Sequence, residues 1–398
     1  MSQPLVNTGE PKRIFFVIGE ASGDQLGASL VDSLRARFGG EIAFEGLAGD
    51  LLQARGVQTV FDIEDIAVMG LGPVIARLPT ILRRLRTTVE AIVSAKPDLV
   101  VVIDSPDFCH RVAKRVRARD ASIPIVGWVS PSVWAWRPSR AIKMRAYIDH
   151  LLVLLPFEVE THAELGGPPA TYVGHPLVSQ QGALASAEDM EQRQASPVLL
   201  VLPGSRKGEI TRHMQIFGQT VERASGLVEQ MGSQMPPIVL PTIEKHAHLV
   251  QSLAASWQVP TTVVADHQGK KDAFARGHAA LAASGTVTLE LALKKVPMIV
   301  VYRLDWLASR FRFLIKVWTI VLPNLIIGRP VIREYVEEFA RPEILARGLA
   351  SLIVETPERL AQLAAFEELS TIMQAKGDAD FGPADRAADV VANQLGLS

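Results

Sequence analysis

Short apolar runs that end in turns of glycine, serine, proline and acidic residues recur along this chain, and they constrain its fold more than any other feature. Val198-Leu-Leu-Val-Leu202 is the sharpest of them. Five apolar residues in a row read as a strand buried on both faces, as in a parallel sheet. The turn Pro203-Gly204-Ser205-Arg206 follows, and a helix is expected to open near Gly208. Backbone N–H groups, a hydroxyl and a guanidinium then meet at a strand's carboxyl end, a corner suited to a phosphate. The alternative is an ordinary turn carrying a surface arginine.

The same rhythm runs through both halves. Strands are expected at Ile14–Ile18, Ile42–Phe44, Val57–Phe61, Leu99–Ile103, Ile125–Val129 and Leu151–Leu155, with helical stretches between them. In the first such helix, Leu26, Leu30, Leu34 and Phe38 share one face. After a polar stretch the pattern resumes at Val198–Leu202, Ile238–Leu240, Thr262–Val264, Ala279–Ala282 and Met298–Val301. Alternation of this kind implies an α/β protein with two doubly wound, parallel-sheet, Rossmann-like domains facing a cleft. A length of 398 residues suits two domains. The expected division is 1–178, a linker at 179–196, a second domain at 197–370 and a helical tail at 371–398 that is free to pack back on the first domain.

Composition narrows the partners. With 41 basic and 42 acidic residues the net charge is −1, so no polycationic surface argues for nucleic acid. The single cysteine, Cys109, excludes an internal disulfide and a cysteine-based metal cluster, and suits a cytosolic protein; it reads as a buried filler residue. No signal peptide is expected, because the run Ile14 to Ile18 is too short for an apolar signal core. Phe313 to Ile327, the nearest approach to a membrane span, is broken by Lys316, Pro323 and Asn324.

Several turns carry chemistry. Gly19-Glu20-Ala21-Ser22-Gly23-Asp24 is not a dinucleotide fingerprint, since its two carboxylates would repel a pyrophosphate. Two carboxylates and a serine suit sugar hydroxyls, or Ser22 and Asp24 cap the helix. Asp104 is the first polar residue after Leu99–Ile103, so it is expected at the sheet's carboxyl edge, where a carboxylate can take a proton from an attacking hydroxyl. A turn cap before Pro106 is the alternative, and Asp107 reads as the cap of the following helix. Ser284-Gly285-Thr286 makes a second anion-friendly corner, and Glu290 lies one helical turn below Thr286, able to chelate a ribose. Trp128, Trp134 and Trp136 crowd one loop with Ser130, as core or as cleft lining. His175 is a candidate hinge or ligand contact.

Two segments suggest a membrane surface. Between Leu71 and Arg86, Val74, Ile75, Leu78, Ile81, Leu82 and Leu85 alternate with Arg77, Arg83, Arg84 and Arg86, the profile of an amphipathic helix at an anionic interface. Pro79 belongs in such a helix's first turn or kinks it. Tyr302 to Ile320 mixes Trp306, Phe311, Phe313 and Trp318 with basic residues. Core-facing helices with solvated basic faces are the alternative for both.

With these motifs in view, the chain resembles the lipid-A-disaccharide synthases over nearly its whole length. The resemblance lies in Gly19–Asp24, Ala67-Val-Met-Gly70, Ile103–Phe108, Val129–Trp136, Leu155-Pro-Phe-Glu158, Leu202–Arg206, Ala283–Thr286, Pro323-Asn-Leu325 and Gly328-Arg329, in family order. Pro330 to Phe339 departs from it by lacking a glutamine. The resemblance implies a GT-B glycosyltransferase that works without a metal or other cofactor. It implies inverting transfer of 2,3-diacylglucosamine from UDP to 2,3-diacylglucosamine 1-phosphate (lipid X), with the inner-membrane surface as a peripheral partner on its cytoplasmic face in a Gram-negative-type bacterium. In that scheme Asp104 is the general base, and Arg206 with Gly204 and Ser205 meets the departing pyrophosphate. Ser284, Gly285, Thr286, Glu290, Asn324 and Arg329 hold the nucleotide. Glu20, Ser22, Gly23, Asp24, Ser130 and Trp134 shape the acceptor side, and Val74, Ile75, Leu78, Ile81, Leu82, Arg83 and Arg84 face the membrane. The alternative is another UDP-GlcNAc-type enzyme of the same fold, a lipid-linked GlcNAc transferase or a 2-epimerase.

Overall fold

The structure is a computed structural model that describes residues 10–67, 71–179, 182–303, 317–374 and 382–397; in the helix Leu71–Ala95 the side chains are described from residue 77 onward. It divides into two units, residues 1–176 with 375–398, and residues 177–374.

Among the described residues, the N-terminal unit holds seven parallel strands: β1 (Lys12–Ile18), β2 (Ile42–Leu47), β3 (Gln58–Thr59), β4 (Leu99–Ile103), β5 (Ile125–Trp128), β6 (His150–Val153) and β7 (Ala170–Tyr172). Their order is β3-β2-β1-β4-β5-β6-β7. The chain winds outward from β1 to β3 and then crosses to β4, so β1 and β4 are neighbours whose following loops diverge. That switch point opens a crevice at the strands' carboxyl ends. The residues of β1 divide between the two faces by alternation. Ile14, Phe16 and Ile18 pack with the helices Ala21–Phe38 and Pro383–Leu395, while Phe15 and Val17 pack against Leu71–Ala95 and Pro106–Arg119.

The C-terminal unit repeats the plan with β8 (Val198–Leu202), β9 (Ile238–Pro241), β10 (Thr261–Val264), β11 (Gly277–Ala283), β12 (Met298–Tyr302) and β13 (Glu334–Val336), in the order β10-β9-β8-β11-β12-β13. Its switch point falls between β8 and β11.

Three features refine the expected layout. The polar stretch expected as linker contains a helix, Ala187–Ala195, that belongs to the C-terminal unit. A capping box at Ser186 starts it, and buried Arg193 donates to the carbonyls of Lys294 and Lys295, both at 2.8 Å. The polarity of that stretch serves local hydrogen bonds rather than solvent. The last described helix, Pro383–Leu395, belongs to the N-terminal unit, where Ser33 Oγ donates to Asp385 Oδ1 at 2.7 Å. Pro79 lies inside Leu71–Ala95, beyond its first turn. Of the candidate membrane segments, the side chains of Val74 and Ile75 and residues 304–316 lie outside the described residues. None of the described helices is long and apolar enough to cross a membrane.

Candidate active site

The crevice of the N-terminal unit brings the β1 and β4 turns together. Gly19 is required there, because a Cβ would collide with the side chain of Ser105. Asp104 and Ser105 both take left-handed backbone conformations, with φ of 55° and 40°, and nearby Val129 has φ of 75°. Such conformations cost energy for residues with a side chain, most of all for a β-branched valine, and they concentrate where function demands a fixed geometry. Here they set Asp104 in the turn just past β4, between Ser22 and Ser105. Its Oδ1 accepts from the Ser105 N–H and its Oδ2 from Ser22 Oγ, both at 2.8 Å. Glu20 sits beside it, its carboxyl pushed up from 4.5 by burial first and by the Asp104 carboxylate second. Glu20 and Ser22 line a cavity of about 700 Å³ together with Ser105, Phe108, Arg111 and Arg137. The apolar Leu78, Ile81, Leu82 and Leu85 form another of its walls.

The corresponding crevice in the C-terminal unit lies between the turns after β8 and β11. Gly204, Ser205, Arg206, Ser284, Gly285, Thr286 and Glu290 line one cavity of about 370 Å³ there. Gly204 has φ of 114°, and a Cβ on it would come within 2.7 Å of the Glu209 side chain. Glu209 Oε2 accepts from the N–H groups of Ser205 and Arg206, each at 3.2 Å, and Oε1 from the Arg206 guanidinium at 2.8 Å. A carboxylate thus occupies the place expected for a pyrophosphate oxygen. The Arg206 side chain is 78% exposed, and an exposed ion pair is worth about 0–1 kcal/mol, so a dianionic ligand can displace this one. The Glu290 carboxyl is raised by burial, against the pull of Lys270 and Lys294. Lys270, Thr242 and Phe274 also line the cavity. Sequence reading missed them because no motif marks them; the packing of the helix His267–Arg276 against β8 and β9 brings Lys270 and Phe274 there.

Residues 14–378 match the sequence profile of the lipid-A-disaccharide synthetase family. The chain belongs to that family. It is 46% identical to a lipid-A-disaccharide synthase of Nitrobacter hamburgensis, over 97% of this chain and 96% of that one. Those of Rhodospirillum centenum and Ruegeria pomeroyi are 39% and 36% identical, each over 97% of this chain and 95% and 96% of theirs. Among solved structures it is similar to Acinetobacter baumannii MurG, with a TM-score of 0.55 at 15% identity over 96% of this chain and 100% of that one. It is also similar to the UDP-GlcNAc 2-epimerase from Neisseria meningitidis, with a TM-score of 0.57 at 11% identity over 97% and 100% of the chains. These likenesses show the fold, and the family makes the chain a glycosyltransferase of the GT-B type with two parallel-sheet domains.

Within this family frame, several expected site residues turn out to be engaged elsewhere. Asp24 is buried, and its carboxylate accepts from the N–H groups of Gly49, Leu51 and Leu52 at 3.0, 2.8 and 3.3 Å, so it caps the helix Asp50–Gln53 instead of meeting a sugar. Ser130 is buried, donating to the Pro131 carbonyl and lying 2.8 Å from His162 Nε2. The Trp134 indole N–H donates to Glu158 at 3.2 Å, and neither residue lines the cavity. Asn324, 1% exposed, accepts from the N–H groups of Val331 and Ile332 and donates to the Ile332 carbonyl, bracing its own loop. Arg329 pairs with Glu368 at 2.5 Å and does not line the cavity between the β8 and β11 turns. Arg84 turns to Asp65 and covers the Phe61 ring at 4.6 Å; of the other expected membrane-facing residues with described side chains, Leu78, Leu82 and Arg83 are exposed. Buried Cys109 has its thiol pushed up by burial. Burial lowers His175 to about 4, so it is neutral near pH 7.

The loop that carries Trp134 rests on a titratable group. Glu158 is buried, and desolvation raises its carboxyl from 4.5 to about 7. Unfolded, it ionises near its ordinary value, so over roughly pH 4.5 to 7 the folded state holds the extra proton. Stability therefore falls as pH rises through that window, by about 3 kcal/mol in all. Urea unfolding of Glu158→Gln should lack this slope, its stability relative to wild type rising by about 3 kcal/mol from pH 4.5 to 7.5. Parallel profiles would mean that the carboxyl titrates normally.

Proposed function

We propose that this enzyme transfers a 2,3-diacylglucosamine unit from UDP to the 6-hydroxyl of 2,3-diacylglucosamine 1-phosphate. The acceptor oxygen bonds to the donor's anomeric carbon as the bond from that carbon to the diphosphate breaks. The anomeric centre inverts, the hydroxyl proton passes to Asp104, and UDP leaves with the electron pair. The products are the β(1→6) disaccharide 1-phosphate and UDP.

One observation carries the reading: a carboxylate held in a strained turn by Ser22 and Ser105 stands beside a cavity with an apolar wall. A hydroxyl taking the place of Ser22 Oγ would meet Asp104 as a base, while acyl chains lie along Leu78, Ile81, Leu82 and Leu85. In the other unit, Arg206 with the Gly204-Ser205 turn supports binding of the leaving diphosphate once Glu209 yields, and Thr286 and Glu290 suit phosphate and ribose. The exposed Leu78, Leu82 and Arg83 support peripheral attachment to the cytoplasmic face of the inner membrane. A 2-epimerase or a lipid-linked GlcNAc transferase of the same fold has no use for two acylated glucosamines.

Incubation with UDP-2,3-diacylglucosamine and the diacylglucosamine 1-phosphate acceptor, followed by mass measurement, should yield the acylated disaccharide 1-phosphate and one UDP for each. An epimerised sugar, or UDP release without disaccharide, would discard this function.

A further inference from the structure

The proposed reaction leaves the acceptor's 1-phosphate without a partner, and the N-terminal cavity contains two arginines that no step so far uses. Arg111 lies on the helix Pro106–Arg119, and Arg137 ends the tryptophan loop. Both line the cavity that holds Glu20 and Ser22. Neither makes an ion pair among the described residues; Arg137 only covers the Trp136 ring, 4.4 Å from its centre. The other charges that line this cavity are acidic. Asp107 is paired with Arg140 at 3.3 Å, and the Glu20 carboxyl is half-buried next to Asp104. Arg137 holds its place at φ of 53°, a left-handed conformation that fixes the end of its loop at the cavity.

Resting on the function proposed above, we propose that Arg111 and Arg137 receive the 1-phosphate of the acceptor and make the enzyme select a phosphorylated glucolipid. The geometry of the sugar supports this. The carbons that bear the phosphate and the hydroxymethyl group both flank the ring oxygen, so the phosphate lies within one ring's width of the attacking hydroxyl. The acyl chains leave from the far edge of the ring. Ser22 on the carboxylate of Asp104, two guanidinium forks and an apolar wall line this one cavity and suit, in turn, a hydroxyl, a dianion and acyl chains. Beyond Leu82 and Leu85 lies a second cavity of about 590 Å³, where Val89 extends the apolar strip and Arg86, Arg115 and Arg119 supply further positive charge.

The test compares diacylglucosamine 1-phosphate with diacylglucosamine lacking the phosphate, each in detergent micelles with the full-length protein. Wild type should bind the phosphorylated acceptor at least about tenfold more tightly, since hydrogen bonds to a charged group are stronger than those between neutral ones. In Arg111→Ala/Arg137→Ala this preference should fall to about twofold or less, and the ratio of kcat/KM for the two acceptors should fall with it. Lysine at both positions should retain part of the preference, charge without the fork. An equal loss on both acceptors, or a preference that survives the double variant, would overturn the proposal. So would loss of binding to phosphatidylglycerol vesicles with the acceptor preference intact, which would give the arginines to bulk lipid. The binding arm stands apart from turnover. If wild type formed no disaccharide yet bound with an arginine-dependent phosphate preference, the assigned reaction would fall and the phosphate site would remain.

Discussion

Asp104→Asn is expected to lower kcat for disaccharide formation by about 10²–10⁴-fold, the span general-base catalysis contributes, with the fold intact. The substitution is chosen for what it keeps. Asparagine matches aspartate in shape and tolerates the left-handed conformation at φ of 55°. Its side-chain oxygen can still accept from Ser22 or from the Ser105 N–H, the two bonds that place Asp104. The loss is confined to the negative charge and the ability to take a proton. Because the carboxylate acts on the hydroxyl as it attacks, the effect should fall on kcat more than on KM for either substrate. The removed charge should also ease Glu20, whose carboxyl Asp104 helps to raise, so the Glu20 carboxyl should titrate at lower pH in the variant. A kcat within a few-fold of wild type, with matching circular dichroism and Tm, would remove Asp104 from the chemistry.

Arg206→Ala should cost about 10²–10³ in kcat, the effect of losing one well-placed group that stabilises charge developing in the transition state. Its consequence for stability should be small, because the side chain is 78% exposed and its partner, Glu209, remains bonded to the Ser205 and Arg206 N–H groups. Charge builds on the diphosphate as the glycosidic bond breaks, so the guanidinium matters most at that point. Arg206→Lys should recover part of the rate, since an ammonium supplies charge but not a planar fork. Product formation measured at saturating donor separates this from weaker UDP-sugar binding. A rate within tenfold of wild type would mean that the diphosphate is held by other groups.

The parts of this protein that were legible in its sequence share one physical property: they depend on neighbours along the chain. Val198–Leu202 and Leu99–Ile103 are apolar throughout because parallel strands in the middle of a covered sheet bury both faces, and they stand where expected as β8 and β4. Asp104 was visible as the first polar residue beyond such a run. Edge strands leave a weaker trace. β7 and β13 are three residues each and half-buried, with no continuous apolar run to read.

Side-chain roles that hinge on distant partners are illegible in the sequence for a common reason. A buried Asp, Ser or Asn looks the same in sequence whether it faces a ligand or a backbone N–H. Asp24 caps Asp50–Gln53, Ser130 meets His162, and Asn324 braces residues 331 and 332, all choices made by packing. The reverse holds for Arg111, Arg137 and Lys270, which carry no motif and enter cavities through the placement of their helices and loops. Local order in the chain therefore determined the α/β alternation and the turns that bear chemistry, because hydrophobic period and turn propensity act over a few residues. Which turns share a crevice was settled by strand order: β1 beside β4 and β8 beside β11 are pairings between distant segments, and no local preference encodes them.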